Sequence, residues 1–350
     1  MAKGDYAAAA ALYPELLAAG PASPELRSNY GVALHLAGRN QEALEQFRLA
    51  LRQKPDLIAA NLFAGESLVD LGRPAEALPY LEHARTLDAV GATPLVVLGK
   101  AYVALRDFQK ANTAYAEAVR RSPNLSEAWF GLGITYRSLA EQQLNPADHG
   151  ENGNPAESQR LLHESLAALT RAVALAPDSP RAHLILGESL RDSGKLADAI
   201  PEYQAAVRLE PRMQAAFLGL ATTYWKRGDF DEALFPLRRA LDLSPHDPEA
   251  NAIYADILEH HNDQAKAEQC ALIAVEGNPR LFVAHVVLAR IYLSRGQPEK
   301  AIAHLEQVTK ADPDGSYHFL LWRAYKSAGK PSEAAAALAE FQRIRNARQP

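Results

Sequence analysis

Cys270 is the single cysteine among 350 residues, so no disulfide can close within the chain and no multi-thiolate zinc site can form. That poverty fits the cytoplasm, which we favour, and leaves the periplasm open if an upstream signal segment has been removed. Aromatics make up only 7% of the residues, with three tryptophans and two methionines, which excludes an interior built on large rings. No hydrophobic run approaches the length of a bilayer crossing; the apolar stretch from Tyr6 to Tyr13 is short and stands between Asp5 and Glu15, so no membrane insertion is expected. A positive surplus is missing too. The formal charge is −5, and without a net positive field to displace phosphate counterions the chain is not expected to bind nucleic acid. Glycine-rich phosphate loops, nucleophile elbows and HExxH pairs are all absent, which removes the motifs of the commonest catalytic classes. No cofactor, metal or catalytic residue is assigned.

What the sequence has in abundance is alanine inside a 48% apolar content, the composition of helices that approach one another closely. These alanines recur in register. Gly31, Leu34, Gly38, Ala43, Phe47, Ala50 and Pro55 form a ladder that returns as Gly187, Leu190, Gly194, Ala199, Tyr203, Ala206 and Pro211, and again as Ala221, Tyr224, Gly228, Ala233, Leu237, Ala240 and Pro245. Small residues in both helices allow close contact, the glycine ends the first helix in a left-handed turn, and the proline stops the second. The ladder resembles the tetratricopeptide repeat, a helix–turn–helix unit of about 34 residues. Trp129, Leu132, Gly133 and Tyr136 reproduce that family's first helix. The resemblance implies an all-α, right-handed α-α superhelix (solenoid) that binds other proteins and is not itself an enzyme.

Repeats are expected to start at Pro24, Ile58, Ala92, Ser126, Pro180, Gln214, Pro248, Phe282 and Gly315. The whole chain, 1–350, then reads as one solenoid. Residues 1–23 are an orphan half-repeat, 24–140 hold three repeats and the first helix of a fourth, 141–160 are a loop insertion, and 161–350 hold the remainder. Tyr6, Leu12, Tyr13 and Leu16 of the orphan helix should be partly exposed, giving weak self-association through that end. In the insertion, Asp148, His149 and Glu151 read as incidental charges rather than metal ligands. Glu259, His260, His261 and Asp263 read as a polar helix end, since adjacent histidines on a helix diverge by about 100°. Cys270 reads as an inert thiol.

The resemblance places a partner on the concave surface lined by first helices. In the amino-terminal half that surface should present Val32, Leu36, Leu62, Val96, Val103, Phe130 and Ile134, broken by Glu66, Asp70 and Lys100. In the carboxy-terminal half it should present Glu188, Arg191, Asp192, Trp225, Lys226, Asp256, Glu259, Arg290, Arg323 and Lys326. Trp225 is singled out as an open-surface aromatic of the kind found at hot spots. Arg290, Arg323 and Lys326 should form an uncompensated basic strip, which implies an acidic, partly apolar peptide or a C-terminal carboxylate as ligand. Pairing of Arg290 with Asp256 and Glu259 is the competing arrangement. The family's carboxylate clamp is not supported, because Ser28, Val32, Phe63, Thr93 and Val97 stand at its positions. Two other classes are weighed: a substrate-docking region of a larger enzyme or envelope-assembly machine, and an RNA-binding helical repeat, which would need a basic channel that is missing here.

Overall fold

The computed structural model describes residues 6–20, 23–144, 154–309, 312 and 314–347. Every regular element among them is helical. The order is α1 (Tyr6–Ala18), α2 (Pro24–Leu36), α3 (Asn40–Gln53), α4 (Ile58–Asp70), α5 (Pro74–Leu87), α6 (Thr93–Ala104), α7 (Phe108–Arg121), α8 (Ser126–Leu144), α9 (Pro155–Leu175) and α10 (Pro180–Asp192). It continues with α11 (Leu196–Leu209), α12 (Gln214–Arg227), α13 (Phe230–Leu243), α14 (Pro248–His260), α15 (Gln264–Gly277), α16 (Phe282–Ser294), α17 (Pro298–Val308), α18 (Ser316–Ser327) and α19 (Pro331–Asn346). First helices begin at the expected starts, except that α6 and α18 each begin one residue later. The chain divides into two compact units, residues 1–189 and 190–350.

Outside the interrupted repeat of α8 and α9, each hairpin turns where the ladder has its second glycine. Gly38 has φ +77° and Gly228 φ +84°, while Arg106 and Asn262, at the same point of their repeats, are held at +60° and +63°. Asparagine tolerates that region; arginine is strained there. Within a hairpin the ladder alanines are fully buried, as Ala43, Ala77 and Ala233 are. The small first-helix residue is a matter of space: a Cβ on Gly99 would lie 2.5 Å from Cζ of Tyr115.

Five of the first helices are tied to the preceding hairpin by a donor on their fourth residue. Asn61 Nδ2 donates to the Pro55 carbonyl at 2.7 Å, Trp129 Nε1 to Pro123 at 2.8 Å, and Asn251 Nδ2 to Pro245 at 2.9 Å. His183 Nε2 and His285 Nε2 do the same to Pro177 and Pro279, both at 3.0 Å. Three side-chain chemistries thus satisfy the carbonyl of a proline that lies just past the end of the preceding helix. In the last repeat Asp312 stands six residues before His318, and its carboxylate takes the ring at 2.8 Å instead.

One expectation about the edges of the array changes. The insertion expected over 141–160 is narrower, because α8 runs to Leu144 and α9 begins at Pro155. Leu139, Ala140 and Leu161 pack together with Phe108, Tyr136 and Leu162, and Ser158 Oγ donates to the Ala140 carbonyl at 3.0 Å. Burying Ser158 and Leu161 extends the helices past the frame of a standard repeat. Asp148, His149 and Glu151 lie outside the described residues. At the start of the chain, Leu12 and Leu16 of α1 are 62% and 52% exposed, while Tyr13 stacks on Tyr30 at 5.2 Å.

Candidate functional site

In unit 1 the first helices α2, α4, α6 and α8 touch their neighbours in succession, and the face they share carries both charges and apolar residues. Leu62 is half-buried against the core of the first repeats, and Val96, expected on the open face, is only 2% exposed. Val96 lies between α6 and α8, where a valine gains more from packing than from water. Val103, Phe130 and Ile134 do reach the face and line a hollow of about 270 Å3 with Lys100, Tyr115 and Arg181. A second hollow of about 210 Å3 lies beside it, lined by the small residues Ala172, Ala176, Ser179 and Ala182. Both hollows share Glu127, Phe130 and Arg181 as their common wall.

A packing exchange makes the larger hollow. At the sixth position of the repeat other first helices carry Phe63, Val97, Ile253 or Val287, whereas α8 has Gly131 and α12 has Gly219, which lies against Tyr203. The Tyr115 ring of α7 lies against Gly131 on one side and Gly99 on the other, too close to either for a side chain. Tyr115 is 4% exposed, forms a wall of the hollow, and makes no hydrogen bond to any described residue. Burial holds its phenol well above the usual tyrosine range, so the hydroxyl is a protonated donor.

Most of the charge on this face is already satisfied. Lys100 Nζ bridges Glu127 at 2.7 Å and Glu66 at 3.8 Å, and Arg137 meets Glu188 at 2.9 Å. Arg181 differs. Its guanidinium lies 5.3 Å from the centroid of the Phe130 ring and has no carboxylate partner among the described residues.

Unit 2 corrects three expectations. Trp225 is half-buried rather than open, and its Nε1 donates to Asp256 Oδ2 at 2.8 Å. Asp256, expected on the open face, is 6% exposed. Arg290 is not part of an uncompensated strip: it reaches Glu259 at 2.9 Å and Asp256 at 3.4 Å. The competing arrangement therefore holds. These contacts follow one geometry, in which the twelfth residue of a first helix meets the ninth of the next. The pairs His35–Glu66 at 3.6 Å and Arg137–Glu188 in unit 1 obey it, as do Trp225–Asp256 and Glu259–Arg290 in unit 2.

The next such rung would join Leu293 to Arg323, and leucine offers nothing to a guanidinium. Arg323 is exposed without an ion pair among the described residues. Lys326 is also exposed, with its ammonium 5.5 Å from the Trp322 ring centroid. Lys226 is exposed, and Arg191 contacts its neighbour Asp192 at 3.2 Å. A cavity of about 620 Å3 opens near the chain's last helices, lined by Val286, Arg290, Tyr317, Phe319 and Phe341 among others. Among the described residues no three histidine, cysteine or carboxylate side chains are placed to hold a metal ion, and no helix is long and apolar enough to cross a membrane. Burial pushes the Cys270 thiol up, away from the reactive thiolate.

Successive helical hairpins, joined by capped prolines and inter-repeat rungs, define a helical-repeat protein of the kind that generally serves as an interaction scaffold. The chain belongs to the tetratricopeptide repeat family, whose pattern matches residues 1–58, 96–142, 150–216, 218–280 and 286–348. It is similar to anaphase-promoting complex subunit 3 of Schizosaccharomyces pombe, 24% identical over 246 residues that cover 65% of this chain and 37% of that protein. It is also similar to the antiviral innate immune response effector IFIT1 of Macaca fascicularis, 24% identical over 313 residues, covering 76% and 62% respectively. The chain thus spans less than two thirds of the length of these relatives. A solved APC/C hetero-tetramer of Cut9 and Hcn1 shares the fold with a TM-score of 0.54 at 17% identity, over 85% of this chain and 55% of that one.

Proposed function

We propose that this chain is a non-catalytic scaffold that holds an extended segment of a protein partner on the first-helix face of unit 1, with Phe130 at the centre of the contact. The observation that carries the reading is the pair of hollows on either side of Phe130 and Arg181. Partner segments gain most where an anchor enters a preformed apolar recess. The charged positions of unit 2 support the reading less, because Trp225, Asp256, Glu259 and Arg290 are engaged with one another. Within unit 2, Arg323 and Lys326 remain as cations that suit an acidic stretch of a partner. The test is affinity capture with the whole chain, followed by quantitation of the recovered partner against Phe130→Glu and Arg323→Glu. Loss of the partner with Phe130→Glu, in a protein whose helical circular dichroism is unchanged, is the expected outcome. Retention by Phe130→Glu with loss in Arg323→Glu would move the site to the last repeat.

A further inference from the structure

The two hollows of unit 1 contain three features that ordinary packing leaves unexplained. The first is the Tyr115 hydroxyl. Tyr115 is 4% exposed, walls the larger hollow, and has no hydrogen-bond partner among the described residues. The ring is buried but the hydroxyl is not sealed from the hollow, so it stands as a donor available to an incoming acceptor. The second is Arg181, which stands over Phe130 without a carboxylate although the other cation of the hollow, Lys100, holds two. The carboxylate on the rim, Glu127, is ion-paired with Lys100 at 2.7 Å. An incoming group therefore meets one free donor in the wall and one free positive charge at the shared wall. The third is the pairing of the recesses themselves. They are separated by Phe130 and Arg181, and a chain that fills both must pass over that wall rather than end at it.

We propose that the hollows bind an extended internal segment of a partner protein, with a glutamate side chain in the larger hollow and an apolar side chain two residues later in the smaller one. In an extended chain, residues two apart point to the same face and stand about 6.6 Å apart, so two such side chains can straddle the Phe130 ring that the hollows share. The glutamate methylenes lie against Val103, Phe130 and Ile134, while the carboxylate accepts from the Tyr115 hydroxyl and pairs with the Arg181 guanidinium. The apolar side chain meets Ala172, Ala176 and Ala182. This assignment rests on the proposed docking face of unit 1 and adds the chemistry that it selects.

The probes are three fluorescein-labelled, carboxy-amidated peptides, Gly-Glu-Ala-Leu-Gly and its Gln and Lys counterparts at the second residue, titrated by anisotropy against the whole chain. The Glu peptide should bind roughly tenfold more tightly than the other two, the difference expected of one charge-assisted hydrogen bond. Tyr115→Phe removes only the hydroxyl, leaves the ring between Gly99 and Gly131, and should abolish most of that preference. Arg181→Gln, at an exposed position, should abolish the remainder and flatten the dependence on salt, and it decides the matter if Tyr115→Phe loses stability. Phe130→Ala should weaken all three peptides alike. Equal binding of the three peptides, preference for Lys, or a preference that survives in both variants would overturn the assignment. So would the absence of saturable binding up to about 1 mM, the weak limit for a two-side-chain contact. A labelled Gly-Gly-Leu with a free carboxylate that binds better than the Glu peptide would overturn it in favour of a chain terminus. If Phe130→Glu loses the captured partner while the peptides show no acidic preference, the docking face stands and only its chemistry falls.

Discussion

Arg290 and Arg323 stand at equivalent places on successive first helices, α16 and α18, yet should differ sharply in what they contribute to stability. The guanidinium of Arg290 lies 2.9 Å from Glu259 and 3.4 Å from Asp256, whose side chains are only 21% and 9% exposed. Arg290→Met keeps most of the aliphatic stem and removes the charge, leaving Asp256 with the Trp225 indole at 2.8 Å as its one remaining side-chain donor among the described residues. A charge-assisted hydrogen bond contributes about 1.5–3 kcal/mol, and solvent access to Arg290 trims that toward the lower figure. Leaving a buried carboxylate with half its partners adds to the cost, so a loss of about 2 kcal/mol is expected. Arg323→Met removes an exposed guanidinium that pairs with nothing described, and its effect should lie within about 0.5 kcal/mol of zero. Urea unfolding followed by circular dichroism reads the difference; with a urea dependence of about 2 kcal/mol per molar, Arg290→Met should lower the midpoint by about 1 M. The cycle Asp256→Asn, Arg290→Met and the double variant isolates the pair itself. Equal midpoint shifts in the two arginine variants, or additive losses in the cycle, would refute the rung as an energetic unit.

Arg106→Gly should stabilise the chain by about 0.5–1 kcal/mol, because the residue is held at φ +60° where only glycine is unstrained; thermal unfolding checks this, and an unchanged midpoint would assign the strain elsewhere. Gly99→Ala should destabilise by about 1–3 kcal/mol, since the added Cβ would lie 2.5 Å from the Tyr115 ring, and the same measurement applies. His304 packs against His285, with their Nδ1 atoms 3.0 Å apart, and burial followed by the His285 field lowers its pKa. The folded state therefore binds fewer protons than the unfolded one: the contribution is whole above the unfolded pKa of about 6.5 and is lost as pH falls from there through the folded value. The urea midpoint should drop between pH 7 and pH 5, and His304→Gln should flatten that drop. Leu12 and Leu16 should drive weak self-association at about 100 μM, visible by sedimentation and removed by Leu16→Glu.

Helix positions were legible because each boundary is written locally. A proline or a small polar residue opens a helix, a glycine ends it, and buried alanines keep the frame. The exceptions show where local signals stop. In α8 and α9 the turn residues lie deeper in the interruption than the repeat frame suggests, and only the contact of Leu139 and Ala140 with Leu161 shows that the helices continue. Trp225 looked like an open aromatic because its own helix gives it an outward position. Its partner Asp256 belongs to the next repeat, and which rung two helices form depends on their stacking, which no single helix encodes. The Tyr115 hydroxyl was missed for a similar reason. Gly131, a glycine shared with Gly219 of α12 where other repeats carry Phe63, Val97 or Val287, was the readable signal, but it points to a hollow only once the tyrosine filling part of it is known.

The rung geometry also changes where partner selectivity can reside. A polar residue at the ninth or twelfth position of a first helix looks, in sequence, like an offer to a ligand. When the twelfth residue of one helix complements the ninth of the next, both are consumed in fixing how the hairpins stack, and displacing them costs the stability of the array. Glu66, Glu188, Asp256, Glu259 and Arg290 are all engaged in this way. Selectivity then falls to the positions that the rungs leave free. Those are Arg181, placed at the start of α10 beyond the reach of a rung, the Tyr115 hydroxyl exposed by a missing side chain, and Arg323, whose would-be partner is Leu293. Two lie together at the hollows of unit 1, which is why that face, rather than the more highly charged face of unit 2, is the one expected to discriminate among partners.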